Sequence, residues 1–102
     1  MAIVAVSISP VGEGVSVSSY VAEALRVLDA QHRVRWRLDP MFTTLEGEPE
    51  EIFRLIRAMQ EAVFSAGAVR VGTVIKMDER RDREVGLDDK VETALEKLEG
   101  GG

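Results

Sequence analysis

Polar and apolar side chains alternate along the segment that decides the fold, Arg70-Val71-Gly72-Thr73-Val74-Ile75-Lys76-Met77-Asp78-Glu79-Arg80. A period of two places neighbouring residues on opposite faces of a β-strand. A second segment, Pro40-Met41-Phe42-Thr43-Thr44-Leu45-Glu46-Gly47, alternates in the same way. In each segment, every second residue is expected to face the core. The other parity would place polar groups on a single sheet face, namely Thr44, Glu46, Arg70, Lys76 and Asp78. A small polar ligand or a symmetric partner would need such a face.

The rest of the chain divides into similar elements on either side of these two strands. Alternating apolar residues indicate strands, and apolar residues spaced three and four apart indicate helices. Ser16 is expected to cap the first helix, because its hydroxyl can accept a hydrogen bond from a free amide of the first turn. The predicted elements are strands over 2–9, 33–39, 41–46 and 69–78, and helices over 17–31, 49–66 and 87–98.

The order β-α-β-β-α-β-α predicts the fold class, an α+β ferredoxin-like split βαβ sandwich with an added C-terminal helix. Residues 1–99 are expected to form one domain, and 100–102 a flexible glycine tail. Two helices would cover one face of the four-stranded antiparallel sheet. The other face would stay open, available to a ligand or to a second copy of the chain.

Composition excludes several classes of function. The chain has 13 basic and 18 acidic residues and a net charge of −5, which argues against a nucleic-acid partner. It has no cysteine, so disulfides and thiolate chemistry are excluded. No apolar run approaches the roughly 20 residues that span a bilayer. We therefore expect no membrane partner and a cytoplasmic location.

Residues suited to catalysis or metal binding are few. His32 is the single histidine, and the chain has no cysteine. One such residue cannot form the ligand set of a transition metal. We also expect that no cofactor is required. Glu46 and Asp78 could form an acid/base pair of carboxylates. Salt bridges across the sheet to the neighbouring arginines are the alternative for these acids. The sequence thus predicts no catalytic residue and no metal ligand.

Four motifs recur in order and at matching spacing in a known family. They are Ile8-Ser9-Pro10 followed by Ser16-Val17-Ser18-Ser19-Tyr20-Val21, the segment 40–47, the segment 70–80, and Lys90-Val91. In these motifs the chain resembles the thiamine-binding protein family of small ferredoxin-like proteins, over nearly its whole length. Phe42 departs from the pattern, since the family usually has glycine there.

The resemblance implies a protein that binds thiamine or a related pyrimidine without catalysis, at the open sheet face or at a subunit interface of a homodimer or homotetramer. A cationic thiazolium suits carboxylates and aromatic rings. Glu46 with Ser7 or Thr43 could pair with the aminopyrimidine, and Phe42 could stack on a ring. The ligand-binding residues expected on this basis are Ser7, Tyr20, Phe42, Thr43, Thr44, Glu46 and Asp78.

Two alternatives to ligand binding stay open at this point. One is a regulatory or structural subunit whose open face is purely a contact between copies of the chain. The other is a cofactor-free enzyme, since ferredoxin-like dimers also house such enzymes. Fold analogy does not separate the three. A cavity that brings Thr43, Glu46 and Ser7 or Tyr20 together would favour the binding protein.

Overall fold

The computed structural model describes residues 1–12, 14, 17–82 and 86–100, with the side chain of Leu87 left aside. Its elements follow the predicted order of strands and helices. They are β1 (Ala2–Pro10), α1 (Ser18–Asp29), β2 (Arg35–Leu38), β3 (Thr43–Gly47), α2 (Pro49–Ser65), β4 (Val71–Glu79) and α3 (Leu87–Glu99).

The four strands form one antiparallel sheet in the order β2-β3-β1-β4. This order confirms the ferredoxin-like α+β fold. Strand β1 alternates strictly between buried and half-buried residues, as a central strand with one face on a core requires. The register sets Val4 of β1 beside Leu45 of β3 and Met77 of β4. All three lie on the helix-covered face.

Helices α1 and α2 cover that face and close the core. Pro49 begins α2, at a position where the backbone amide makes no hydrogen bond within the helix, so a proline loses none there. The helix contributes one buried side chain per turn toward the sheet, as the predicted apolar stripe requires. The core residues are Ala2, Val4, Val6, Ile8, Ala24, Leu28, Val34, Leu45, Ile52, Ile56, Met59, Val63 and Ala68.

The structure corrects two predicted details and leaves a third untested. Helix α1 begins at Ser18 and ends at Asp29, two residues short of the predicted end. Val69 was assigned to the core face, yet it is 87% exposed because β4 begins only at Val71. The predicted cap, Ser16, lies outside the described residues.

Helix α3 stands apart from this core, on the other side of the sheet. Its apolar residues Val91, Leu95 and Leu98 are 48%, 50% and 75% exposed. The radius of gyration, 15.3 Å, exceeds the roughly 13 Å of a compact chain of this length. The open face of the sheet therefore carries a loosely attached helix.

Candidate functional site

Two of the predicted site residues, Glu46 and Asp78, lie in line across the open face. In the register both are paired with Ile3 of the central strand, one from each side. Two strand spacings separate them, about 10 Å. They cannot share a proton as an acid/base pair over that distance, and each is bound to a different cation.

Glu46 is held beneath the start of α3. Its side chain is 10% exposed and accepts a hydrogen bond from Arg35 at 3.4 Å. A Cβ added at Gly86 would lie 3.3 Å from the Glu46 carboxylate. Gly86, the residue before α3, therefore lies close to this carboxylate. Negative charge is favourable at a helix N-terminus. The geometry gives Glu46 a part in positioning α3, and it confirms the salt bridge offered as the alternative to catalysis.

A second set of charges tethers α3 to the sheet. Asp88 lies 3.8 Å from Arg35 and 3.6 Å from Arg37. Lys90 donates a hydrogen bond to Asp78 of β4. This hydrogen bond, with the nearby ammonium charge, lowers the pKa of the Asp78 carboxyl below its ordinary value. All these groups are exposed, so the tether is weak and depends on salt.

Replacing Asp78 with asparagine should loosen α3 while the core stays intact. Folding lowers the pKa of the Asp78 carboxyl in the parent protein. The ion pair with Lys90 is therefore fully present above a pH of about 4, and it is lost as the pH falls through the lowered pKa of Asp78. We expect faster amide exchange in α3 and unchanged exchange in β1, measured by hydrogen–deuterium exchange at neutral pH. Glu61→Gln removes a charge from the Arg57 pair on α2 and is the control. Equal exchange in α3 for both variants would contradict this tether.

A cavity of about 220 Å³, here the strand-end cavity, opens beside Thr43, the first residue of β3. Strand β1 pairs with β3 only as far as Val6 and Thr43, yet it continues to Pro10 beside β4. The space left alongside β1 is closed by α1 and by the turn before β3. The lining residues are Val6, Ser7, Ile8, Ser9, Val17, Val21, Ala24, Leu25, Leu38, Asp39, Pro40, Met41, Phe42, Thr43 and Met59.

The polar groups of the strand-end cavity come from the segment 39–44 and from β1. The Asp39 carboxylate accepts a hydrogen bond from the Thr44 hydroxyl at 2.9 Å and lies 3.3 Å from Arg37. Its amide donates to the Phe42 carbonyl at 2.9 Å, which closes the turn. Thr43 is 7% exposed. The cavity therefore combines a carboxylate, three hydroxyl-bearing residues and one aromatic ring.

The predicted site residues thus divide into separate groups. Ser7, Phe42 and Thr43 line the strand-end cavity, and Thr44 orients its carboxylate. Glu46 does not line this cavity. Its partner in the register is Ile3, and Ser7 lies four residues beyond Ile3, about 13 Å along β1. Thr43 faces the helices, because β3 alternates. The expected meeting of Glu46 with Ser7 or Thr43 does not occur.

Tyr20 lies elsewhere, half-buried against the core. A Cβ added at Gly67 would lie 3.9 Å from its hydroxyl, which places the ring by the turn after α2. Sequence reasoning missed Asp39, which was only the last residue of the predicted strand 33–39. Its signal was its position directly before the signature segment 40–47.

A larger cavity of about 440 Å³, here the α3 cavity, lies between α3 and the edge of the open face. Asp78 is the one predicted site residue that lines it. The lining residues are Met1, Ile3, Asp78, Arg80, Asp89, Lys90, Thr93, Ala94 and Lys97.

The described part of the chain contains no group of three or more histidines, cysteines or carboxylates arranged to hold a metal ion. None of its helices has the length and apolar character needed to cross a membrane. What the site offers to a ligand is therefore hydrogen bonds, charge and an aromatic surface.

The fold and its cavities define a class, the small ferredoxin-like proteins that carry an extra C-terminal helix on the open face of the sheet. Residues 4–95 match the family described as thiamine-binding protein. The chain belongs to this family. The match spans most of β1 through most of α3, so the strand-end cavity lies within the matched region.

Curated relatives resemble the chain over most of its length. UPF0045 protein YqgV of Bacillus subtilis is 41% identical over 103 residues, which covers 97% of this chain and 99% of the relative. A UPF0045 protein of Methanothermobacter thermautotrophicus is 45% identical over 84 residues, covering 81% and 84%. These names assign no activity.

Solved structures share the fold. Protein MJ1052 of Methanocaldococcus jannaschii superposes with a TM-score of 0.84 at 33% identity, covering 93% of this chain and 96% of its own. A Thermotoga maritima protein suggested to act in thiamine biosynthesis or salvage gives a TM-score of 0.78 at 19% identity, covering 91% and 97%. At that identity the likeness shows the fold alone.

Proposed function

We propose that the protein binds thiamine or its pyrimidine moiety without catalysis, in the strand-end cavity. One observation carries the proposal: residues 39–43, which include the first half of the signature segment 40–47, and the end of β1 line a cavity that holds an aromatic ring, hydroxyl-bearing residues and a carboxylate. Membership of the thiamine-binding protein family supports this ligand class. The site differs from the open-face site that the strand parity alone favoured.

The chemistry of the cavity matches an aminopyrimidine. Such a ring needs a hydrogen-bond donor and an acceptor side by side, and a hydroxyl can be either. Thr43 supplies a hydroxyl, and Asp39 supplies a carboxylate for an amino group or for the thiazolium charge. Ser7, which has the open-face parity of Ile3, lines the cavity from β1. Phe42 offers a ring face, and the aliphatic residues of α1 enclose the apolar side. Polar groups that are few and convergent in an apolar wall are typical of small-molecule sites.

The volume favours the smaller ligand. A cavity of about 220 Å³ is below the usual range of roughly 300–1,000 Å³ for drug-sized ligands. Phe42, which stands where the family usually has glycine, fills part of this space. We therefore propose that the isolated hydroxymethylpyrimidine binds at least as tightly as thiamine.

Calorimetric titration with hydroxymethylpyrimidine, thiamine and thiamine phosphate tests the proposal. We expect saturable binding of the pyrimidine and of thiamine. Asp39→Asn keeps the shape but removes the charge, and thiamine binding should then weaken by about 1.5 kcal/mol, roughly tenfold. This is the low end for a charge-assisted hydrogen bond, because the Asp39 side chain is 36% exposed.

Asp29→Asn, an identical change at the exposed end of α1, is the matched control and should leave affinity unchanged. Equal affinities for the two variants would remove Asp39 from the site. Absence of heat with every ligand, together with absence of thermal stabilisation, would overturn the proposal. The alternative of a structural or regulatory subunit would then gain support.

A further inference from the structure

The α3 cavity is independent of the strand-end cavity and has a different chemistry. Its volume of about 440 Å³ is within the range of small-molecule sites. Met1, Ile3 and Ala94 give it an apolar floor, and Ile3 is half-buried in the centre of the sheet. Around this floor stand three cationic side chains, Arg80, Lys90 and Lys97.

Lysine is distributed unevenly in this chain. The chain has only three lysines, against ten arginines. Lys90 and Lys97 line the α3 cavity, and the third, Lys76, lies on the same sheet face two residues before Asp78. A net charge of −5 for the whole chain makes this local concentration of positive charge an exception to its surroundings.

Helix α3 turns Lys90 and Lys97, and not Leu95 or Leu98, toward the sheet. Lys90, Ala94 and Lys97 are spaced four and three apart, so they share one helix face. That face lines the cavity, while Leu95 and Leu98 are left 50% and 75% exposed. Burial of apolar area alone would favour the opposite rotation of the helix. The orientation therefore places cations at the cavity despite its cost in exposed apolar surface.

The acids at the cavity balance its formal charge but leave two cationic donors unused. Asp78 is bound by Lys90, and Asp89 accepts a hydrogen bond from the Gly86 amide at 2.7 Å. Arg80 uses Nε and Nη2 to bind Asp82, at 2.6 and 2.9 Å, and Nη1 is not part of that pair. Among the described residues, no carboxylate lies within 4.0 Å of the Lys97 ammonium. Lys97 and the Nη1 of Arg80 are thus available to an added anion.

We propose that the α3 cavity binds a small organic phosphate, a phosphomonoester carried on a compact apolar or aromatic body. The phosphate would contact Lys97 and Arg80, and the body would cover Ile3 and Ala94. Cations converging from a strand and a helix suit a group with nearly two negative charges better than a carboxylate with one. The site does not depend on the ligand of the strand-end cavity.

Titration with phenyl phosphate at low ionic strength tests this site, with benzoate and inorganic phosphate as comparison probes. We expect saturable binding of phenyl phosphate, weaker binding of both other probes, and weakening by added salt. Lys97→Met keeps the apolar stem and should weaken phenyl phosphate binding about tenfold. Arg54→Met, on the exposed surface of α2, is the matched loss of one positive charge and should have no effect.

A second variant tests the apolar part of the cavity. Ala94→Phe fills the floor without changing the charge, so phenyl phosphate should bind at least about tenfold more weakly while the helix is retained. Asp39→Asn should leave this binding unchanged, which separates this site from the strand-end cavity. The proposal is overturned if phenyl phosphate does not saturate, if inorganic phosphate or benzoate binds as tightly, or if Lys97→Met behaves like Arg54→Met.

Discussion

Replacing Leu45 with alanine is expected to lower the free energy of unfolding by about 2–5 kcal/mol. Leu45 is fully buried and lies on β3, between Val4 of β1 and Trp36 of β2. Its removal loses apolar burial and leaves a cavity that two paired strands cannot close. Urea unfolding should show a lower midpoint with an unchanged slope, and the melting temperature should fall by about 4–8 °C per kcal/mol.

Leu98→Ala is the matched control, because it removes the same atoms from a side chain that is 75% exposed. It should change the free energy of unfolding by no more than about 0.5 kcal/mol. A similar loss in both variants would mean that α3 is packed as firmly as the core. That result would also contradict the loosely attached helix on which the α3 cavity depends.

Replacing Gly47 with valine should destabilise the protein by about 1–3 kcal/mol through overpacking. A Cβ added at Gly47 would lie 3.1 Å from Cγ2 of Val34. Val34 is 2% exposed, and a β-branched side chain has little freedom to turn away. The glycine that ends the signature segment 40–47 is therefore required for packing between β3 and the chain that enters β2. Chemical unfolding of the purified variant measures this effect.

Gly72→Val provides the comparison on β4. A Cβ there would lie 3.6 Å from the Val11 side chain, an ordinary contact, and the position is exposed. Its free energy of unfolding should stay within about 0.5 kcal/mol of the parent. An equal loss at the two glycines would show that the contact with Val34 is not its cause.

Local periodicity was enough to predict the fold. The alternation in β1 and β4 and the helical spacing in α2 each depend on which residues face the core. This information is local, so the order of elements and the ferredoxin-like class followed from it. The errors fell at element ends, as at Val69 and Asp29, where the pairing of neighbouring strands and the packing of helices decide how far an element extends.

The candidate site was only partly predictable. Parity correctly placed Glu46 and Asp78 on one face, but it could not show that Ile3 lies between them or that α3 begins over Glu46. The strand-end cavity exists because β3 stops pairing with β1 at Thr43. Asp39 lines this cavity from the turn before β3. Residues in turns follow no regular period, so the sequence does not predict where their side chains lie.

The sequence by itself determined the elements, the core and the family resemblance, because these depend on residue type and spacing along the chain. The tertiary structure decided which polar groups meet. It separated Glu46 from Ser7, joined Asp39 to Phe42 and Thr43, and turned Lys97 toward the sheet. Such meetings depend on strand register and helix rotation, which many contacts across the fold set together. The spacing of residue types along the chain does not contain this information.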